Sequence, residues 1–155
     1  MTGKRDTIVA VASGTGGAIA LIRLSGPTAI AIGDRIFTGG SGSPLSSSKG
    51  FTVHFGHIRN EADEIIDDVL VSLFRAPRSY TGEDMLEISC HGSTFIQQEI
   101  LRLCIREGAR MAQGGEFTLK AFLAGKMDLS QAEAVADIIA SESRAALTLA
   151  TRQIR

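Results

Sequence analysis

Pro77-Arg78-Ser79-Tyr80-Thr81-Gly82-Glu83-Asp84-Met85-Leu86-Glu87-Ile88-Ser89-Cys90-His91-Gly92 joins a turn signal to a strand whose alternate positions carry ionisable groups. From Arg75 to Glu83 the chain holds the Pro, Ser, Thr and Gly residues that set turn dihedrals. Leu86, Ile88 and Cys90 then share one face of a period-2 strand, which sends Glu87 to the other. A strand holds a carboxylate more rigidly than a loop does, so Glu87 suits the paired donors of a flat heterocycle. Spacing by itself favours the plainer reading, a glutamate on a wet sheet face. Tyr80, the single tyrosine, either stacks on a flat ring or anchors its loop by burial. Glu83 and Asp84 are adjacent and diverge on an extended segment, so they read as loop-shaping groups rather than an acid–base pair.

Working outward, Thr7 to Ala12 and Ala18 to Leu24 read as two strands joined by Ser13-Gly14-Thr15-Gly16-Gly17. A dinucleotide fold needs a helix after such glycines, whereas this run stops at Ser25-Gly26-Pro27. Arg23 shares its strand face with Ile19 and Leu21, where a cation must be at an edge or paired. Ser25 or Gly26 caps a predicted helix from Pro27 to about Phe37. Gly39 to Ser48 reads as a mobile spacer. Phe51 to Ile58 and Ile65 to Phe74 form a predicted hairpin whose His54 and His57 face opposite sides and so share no metal. Thr94 and Gln97 have capping-box spacing for a helix to about Glu107, with Phe95, Gln98, Leu101 and Ile105 on one stripe and Gly108 as its stop. Ala109 to Gln113 reads as a short strand and Glu116 to Ala124 as a short helix closed by Gly125. Ser130 and Glu133 open a last helix predicted to reach the C-terminus, with Val135, Ile138, Ile139, Ala146, Leu149 and Ala150 at helical spacing around Glu142. That stripe needs further helices, from downstream sequence or a partner chain, to bury it.

Composition sets the outer limits. The 155 residues are 44% hydrophobic, enough for one core with an appendage, and a net charge of -1 supplies no general basic field for nucleic acid. No signal-peptide core or apolar run of membrane length is present, which leads to the expectation of a cytoplasmic protein without membrane contact. Cys90 and Cys104 are too few and too far apart for a zinc knuckle or redox pair and read as reduced core residues. Lys126, after a glycine on a connecting turn, reads from spacing as plain surface charge. No G-x-x-x-x-G-K-[S/T] occurs, so this stretch has no P-loop with which to hydrolyse GTP.

Three ordered blocks carry a resemblance: the opening run, Gly115-Glu116-Phe117-Thr118-Leu119-Lys120-Ala121-Phe122-Leu123-Ala124-Gly125-Lys126-Met127-Asp128-Leu129-Ser130-Gln131-Ala132-Glu133-Ala134, and Asp6 to Ala10 with Ile22 to Pro27. From about Asp6 to its last residue the chain resembles the N-terminal region of the tRNA-modification GTPase MnmE (TrmE) family. The resemblance implies an α+β fold, a mixed or antiparallel sheet with flanking helices like the folate-binding domain of aminomethyltransferases, followed by the start of an all-helical domain. It implies a folate-binding and dimerisation domain over residues 1–124 and the first helix of the helical domain over 125–155. It further implies a tetrahydrofolate derivative, 5-formyl or 5,10-methylene, bound near a homodimer interface by Arg23, Glu87 and Lys126, with Tyr80 a weaker candidate and no catalytic residue in this chain. GTP, magnesium and potassium would belong to a GTPase domain absent here. An FAD-containing MnmG (GidA) partner and tRNA would complete the assembly that adds an aminomethyl-type group at C5 of the wobble uridine.

Two stretches depart from the family's pattern. The glycine loop lacks the usual two prolines and an arginine, and Gln113-Gly114-Gly115 replaces Arg-Pro-Gly. A free-standing folate-dependent transferase and a dimerisation scaffold without ligand both stay open on the residues alone.

Overall fold

Alternation of apolar residues builds a mixed seven-stranded sheet from β1 (Ile8–Val11), β2 (Ile19–Ser25), β3 (Phe37–Gly39), β4 (Thr52–Arg59), β5 (Ile65–Phe74), β6 (Met85–His91) and β7 (Arg110–Met111). The spatial order is β3-β4-β5-β6-β2-β1-β7, antiparallel throughout except for the β1–β7 pair. The computed structural model describes residues 6–14, 16–138 and 141, and its chain divides into two compact units, Met1–Ala112 and Gln113–Arg155.

Helices α1 (Ala29–Ile36) and α2 (Thr94–Arg106) cover one face of the sheet. Ile22, Leu24, Val71, Leu73, Leu86 and Ile88 face them and are all buried, as are Ile32 of α1 and Ile100 of α2. Burying each such side chain contributes about 1.5–3 kcal/mol relative to exposure, so this layer carries the stability of the first unit. The other face holds a cross-strand row in register: Val53 opposite Ser72, Ser72 opposite Glu87, Glu87 opposite Arg23, and Arg23 opposite Ala10. His54 pairs across with Val71 on the helix side and His57 with Asp68 on the open side.

Several local expectations shift by a residue or a turn. Thr28, rather than Ser25 or Gly26, precedes α1, because the Ser25 hydroxyl is engaged elsewhere. The cap of α2 is Ser93, whose Oγ accepts from the Ile96 amide at 3.3 Å, while Gln97 donates to the Gly92 carbonyl at 3.1 Å. This moves the docking stripe to Ile96, Ile100, Leu103 and Cys104, keeps Leu101 of the expected stripe packed against the core, and leaves Phe95 68% exposed. The stop is as expected: Gly108 takes φ +116°, the region glycine enters without strain, and the Ala109 amide reaches the Cys104 carbonyl at 3.0 Å. The Gly/Ser stretch is pinned rather than a spacer. Leu45 opens a 3-10 turn (Leu45–Ser47) and is buried, Asp34 accepts from the Leu45 and Ser46 amides, and Arg75 holds the Ser46 and Ser48 carbonyls.

In the second unit α3 (Glu116–Leu123) ends at Gly125, and residues 129–138 are helical. The capping pair is Asp128 with Gln131, not Ser130 with Glu133: the Gln131 amide donates to Asp128 Oδ1 at 2.8 Å and the Asp128 amide to Gln131 Oε1 at 3.0 Å. Leu119, Phe122, Leu129, Ala132 and Ala136 line an apolar cleft of about 310 Å³ within this unit. Ile139, Glu142, Ala146, Leu149 and Ala150 of the predicted stripe lie outside the described residues. Among the described residues no helix is long and apolar enough to cross a membrane.

Candidate functional site

Arg23 leaves the middle of β2 and Glu87 the middle of β6, directly opposite one another. Arg23 Nε and Nη2 each lie 2.8 Å from Glu87 Oε2, with the two side chains 21% and 20% exposed. Pairing therefore resolves how a cation sits on a face shared with Ile19 and Leu21. Both contacts fall on one oxygen, so Oε1 accepts from no group among the described residues. The Arg23 guanidinium carbon stands 5.1 Å from the centroid of the Tyr80 ring. That is cation–π range, and Tyr80 remains 38% exposed. The result is a layered arrangement of aromatic ring, planar cation and carboxylate on the side of the sheet away from α1 and α2.

The Tyr80 loop is held by a polar network that spacing did not reveal. Ser25 Oγ donates to Glu83 Oε1 at 2.9 Å and lies 2.7 Å from Thr81 Oγ1. With its proton on Glu83, Ser25 accepts from Thr81, whose oxygen in turn accepts the Glu83 amide at 3.3 Å. Ser25 and Thr81 are buried, and each hydroxyl is satisfied in both directions. Asp84 Oδ1 accepts from the Ala76 amide at 2.8 Å, and the Asp84 carbonyl from the Gly26 amide at 3.0 Å. Glu83 and Asp84 thus shape the loop, as their adjacency implied. Ser25 and Thr81 are 56 residues apart, and only the β2–β6 pairing brings them together.

At the end of β6 the side chain of Asp67, 9% exposed, accepts from both the His91 amide and His91 Nδ1 at 2.8 Å. A carboxylate on Nδ1 makes Nε2 the acceptor nitrogen of a neutral ring. Lys126 belongs to the second unit, where its amide donates to the Ala121 carbonyl at 2.9 Å and its side chain is exposed. The structure thus brings Arg23, Glu87 and Tyr80 together in the first unit, and Lys126 belongs to the second. Cys90 and Cys104 are both buried and unpaired with one another; burial pushes the Cys90 thiol up to about 11 and the Cys104 thiol up to about 12. Neither is a nucleophile at neutral pH.

A family model described as GTP-binding protein TrmE N-terminus matches residues 7–126. The chain belongs to this TrmE N-terminal family. Among curated relatives, a Bacteroides fragilis protein named tRNA modification GTPase MnmE is 60% identical over 153 residues, covering 98% of this chain and 33% of the relative. Proteins of the same name from Flavobacterium psychrophilum and Bacillus subtilis are 55% and 48% identical over 151 residues. They cover 97% and 96% of this chain and 32% and 33% of the relatives. The chain therefore spans about one third of the length of these TrmE-family proteins. The blocks that carry the TrmE resemblance include the strand-borne Glu87 and Arg23 of the layered site.

Proposed function

We propose that this chain is the tetrahydrofolate-binding and homodimerisation part of a tRNA modification GTPase, one that works with an FAD-containing partner to place an aminomethyl-type group at C5 of the wobble uridine. The observation that carries the ligand is Glu87: a carboxylate on the open sheet face, rigidly held by its strand, one oxygen unshared among the described residues, beside an aromatic ring that faces the same cation. A pterin offers a ring N–H next to an exocyclic amine, an edge that a single carboxylate accepts as a pair. Family membership and the names of its relatives support the tRNA-modifying context. The open face supports self-association, since Val53 and Phe55 of β4 are 63% and 64% exposed beside Leu70 at 45%.

Calorimetric titration of the chain with 5-formyltetrahydrofolate tests the reading. Glu87→Ala is expected to weaken binding at least about 10-fold, since charge-assisted hydrogen bonds are worth about 1.5–3 kcal/mol. It is expected to lower stability by only about 1 kcal/mol, the scale of one cross-strand charge pair. Unchanged affinity with a large drop in melting temperature would make Glu87 a structural residue and sink the assignment.

A further inference from the structure

The first unit sets most of its basic side chains against carboxylates. Arg23 is paired with Glu87, Arg35 with Glu107, Arg59 with Asp63, Arg102 and Arg106 with Glu61, and Arg110 with Asp6. Among the described residues of that unit, Lys49, Arg75 and Arg78 alone have no carboxylate partner, and the three stand together. Arg75 Nε and Nη2 hold the Ser48 carbonyl at 3.0 and 2.8 Å, and a Cβ on Gly50 would meet the Arg75 amide nitrogen at 3.3 Å. Lys49 therefore lies between two residues that touch Arg75. The Arg78 amide donates to the Arg75 carbonyl at 2.9 Å, one tight turn further on. Asp34 and Asp84, the acidic groups bonded to the same loops, are turned to backbone amides, those of Leu45 and Ser46 and that of Ala76. Lys49 and Arg78 are exposed, and Arg75 is half-buried with its Nη1 donating to no group among the described residues.

Phe51 adds an aromatic ring to this cluster. It follows Lys49 by two residues, and its amide donates to the carbonyl of Leu73, two residues before Arg75, at 2.8 Å. The ring is 65% exposed, stands edge-on to Phe74 at 5.9 Å, and is carried on a backbone with φ +59°. A bulky residue enters that left-handed region only at a steric cost that glycine avoids. A strained backbone that holds an aromatic ring out in water is the kind of outlier that points to a binding position.

We infer that Lys49, Phe51, Arg75 and Arg78 form a contact site for single-stranded RNA, with the cations on its phosphates and a base stacked on the Phe51 ring. The charge pattern selects a polyanion, because a chain with a net charge of -1 gathers the unneutralised cations of its first unit in one place. The exposed ring selects a strand with unstacked bases, since a duplex keeps its base faces covered. Arg75 is fixed by the Ser46 and Ser48 carbonyls, so its planar guanidinium meets phosphate oxygens in one set orientation. That the RNA is a tRNA rests on the function proposed above; that the site takes a single strand rests on the four side chains. Chain-wide charge averages such a cluster away, which is why composition gave no sign of it.

Fluorescence anisotropy with labelled oligouridine tests the site on the chain and on Lys49→Ala, Arg78→Ala and Phe51→Gly. The last variant removes the ring and suits φ +59°, so it separates stacking from folding. The chain is expected to bind at low salt, with log affinity falling against log salt at a slope of about -2, from three cations at about 0.7 each. Lys49→Ala and Arg78→Ala should each flatten that slope by about 0.7. Phe51→Gly should weaken binding about 10-fold, keep the slope and not lower the melting temperature. Absence of oligouridine binding, or binding that none of the variants changes, overturns the site. Capture of the chain by phosphatidylserine vesicles through Lys49 and Arg78, with no RNA binding, overturns it in favour of a lipid surface. Titration with 5-formyltetrahydrofolate should be unaltered by Lys49→Ala and Arg78→Ala; a loss there with RNA binding intact would assign the cations to the folate's carboxylates and overturn the RNA site. A labelled tRNA transcript judges the proposed function separately, since oligouridine binding with the expected variant effects and no binding of the transcript would keep the site and discard tRNA as its RNA.

Discussion

Glu87 and Arg23 mark how far single residues were legible. Period-2 spacing placed Glu87 opposite Leu86, Ile88 and Cys90, and put Arg23 with Ile19 and Leu21, and both placements hold in the sheet. That the two form one ion pair was not legible, because 64 residues separate them and only strand pairing sets them across from one another. Ser25 shows the same boundary from the other side. Its position before Pro27 reads as a helix cap, yet its hydroxyl joins Thr81 and Glu83, contacts that exist only once β2 and β6 pair. The cysteines were readable from their apolar company. With both thiols buried and raised to about 11 and about 12, neither should react with a thiol-exchange reagent in the native protein at pH 8. Both should react once the chain is unfolded in denaturant, and rapid native labelling of either would show that its region opens readily.

At the scale of elements, type and extent were carried by periodicity, whereas azimuth and capping were not. The α2 segment was recognised from its apolar spacing and its glycine stop, but its buried stripe lies about one residue around from the one expected, since the sheet decides which side docks. Where backbones touch, sequence spacing is silent. Gly92 ends the β2–β6 ladder by donating to the Ala18 carbonyl, and a Cβ on it would meet the Gly17 carbonyl oxygen. Gly92→Ala should therefore destabilise the fold by about 1–3 kcal/mol, measured by denaturant unfolding, and a neutral result would mean the glycine loop yields easily. The β4–β5 turn is tied to α2 through Glu61, which meets Arg102 at 2.7 Å through two oxygens, with Arg106 3.5 Å away. The hydrogen bonds from Arg102 hold the Glu61 carboxyl down at about 2, against an ordinary 4.5. Because the folded value is the lower one, this tie contributes stability above about pH 4.5 and loses it as pH falls towards about 2. Glu61 is solvent-exposed, so the effect is modest and salt-sensitive. Melting curves from pH 5 to 2 should flatten in Arg102→Ala; an identical pH dependence would assign the acid sensitivity to other carboxylates.

At the scale of the whole molecule, the exposed apolar side chains of β4 and β5 and the apolar cleft of the second unit both call for partners. The chain spans about a third of its relatives' length, and the cleft lined by Leu119, Phe122 and Leu129 lies in the second unit, where the predicted helical stripe begins. For the open face, Phe55→Asp should shift the chain towards monomer in light scattering at micromolar concentration while leaving its melting temperature within a few degrees, because Phe55 is 64% exposed in the single chain. An unchanged mass would move the self-association surface elsewhere. The sequence by itself determined six of the seven strands, the helices of the described residues and the face on which each charged residue of β2 and β6 lies, because these follow from periods of 2 and 3.6 residues acting over short distances; β3 (Phe37–Gly39) was read as the end of α1, since three residues carry no period. The tertiary structure alone decided that Arg23 neutralises Glu87, that Tyr80 stands over that pair and that Ser25 anchors the Tyr80 loop. These contacts depend on the register between strands distant in the chain, which is set by burial of the whole helix-covered face rather than by any local signal.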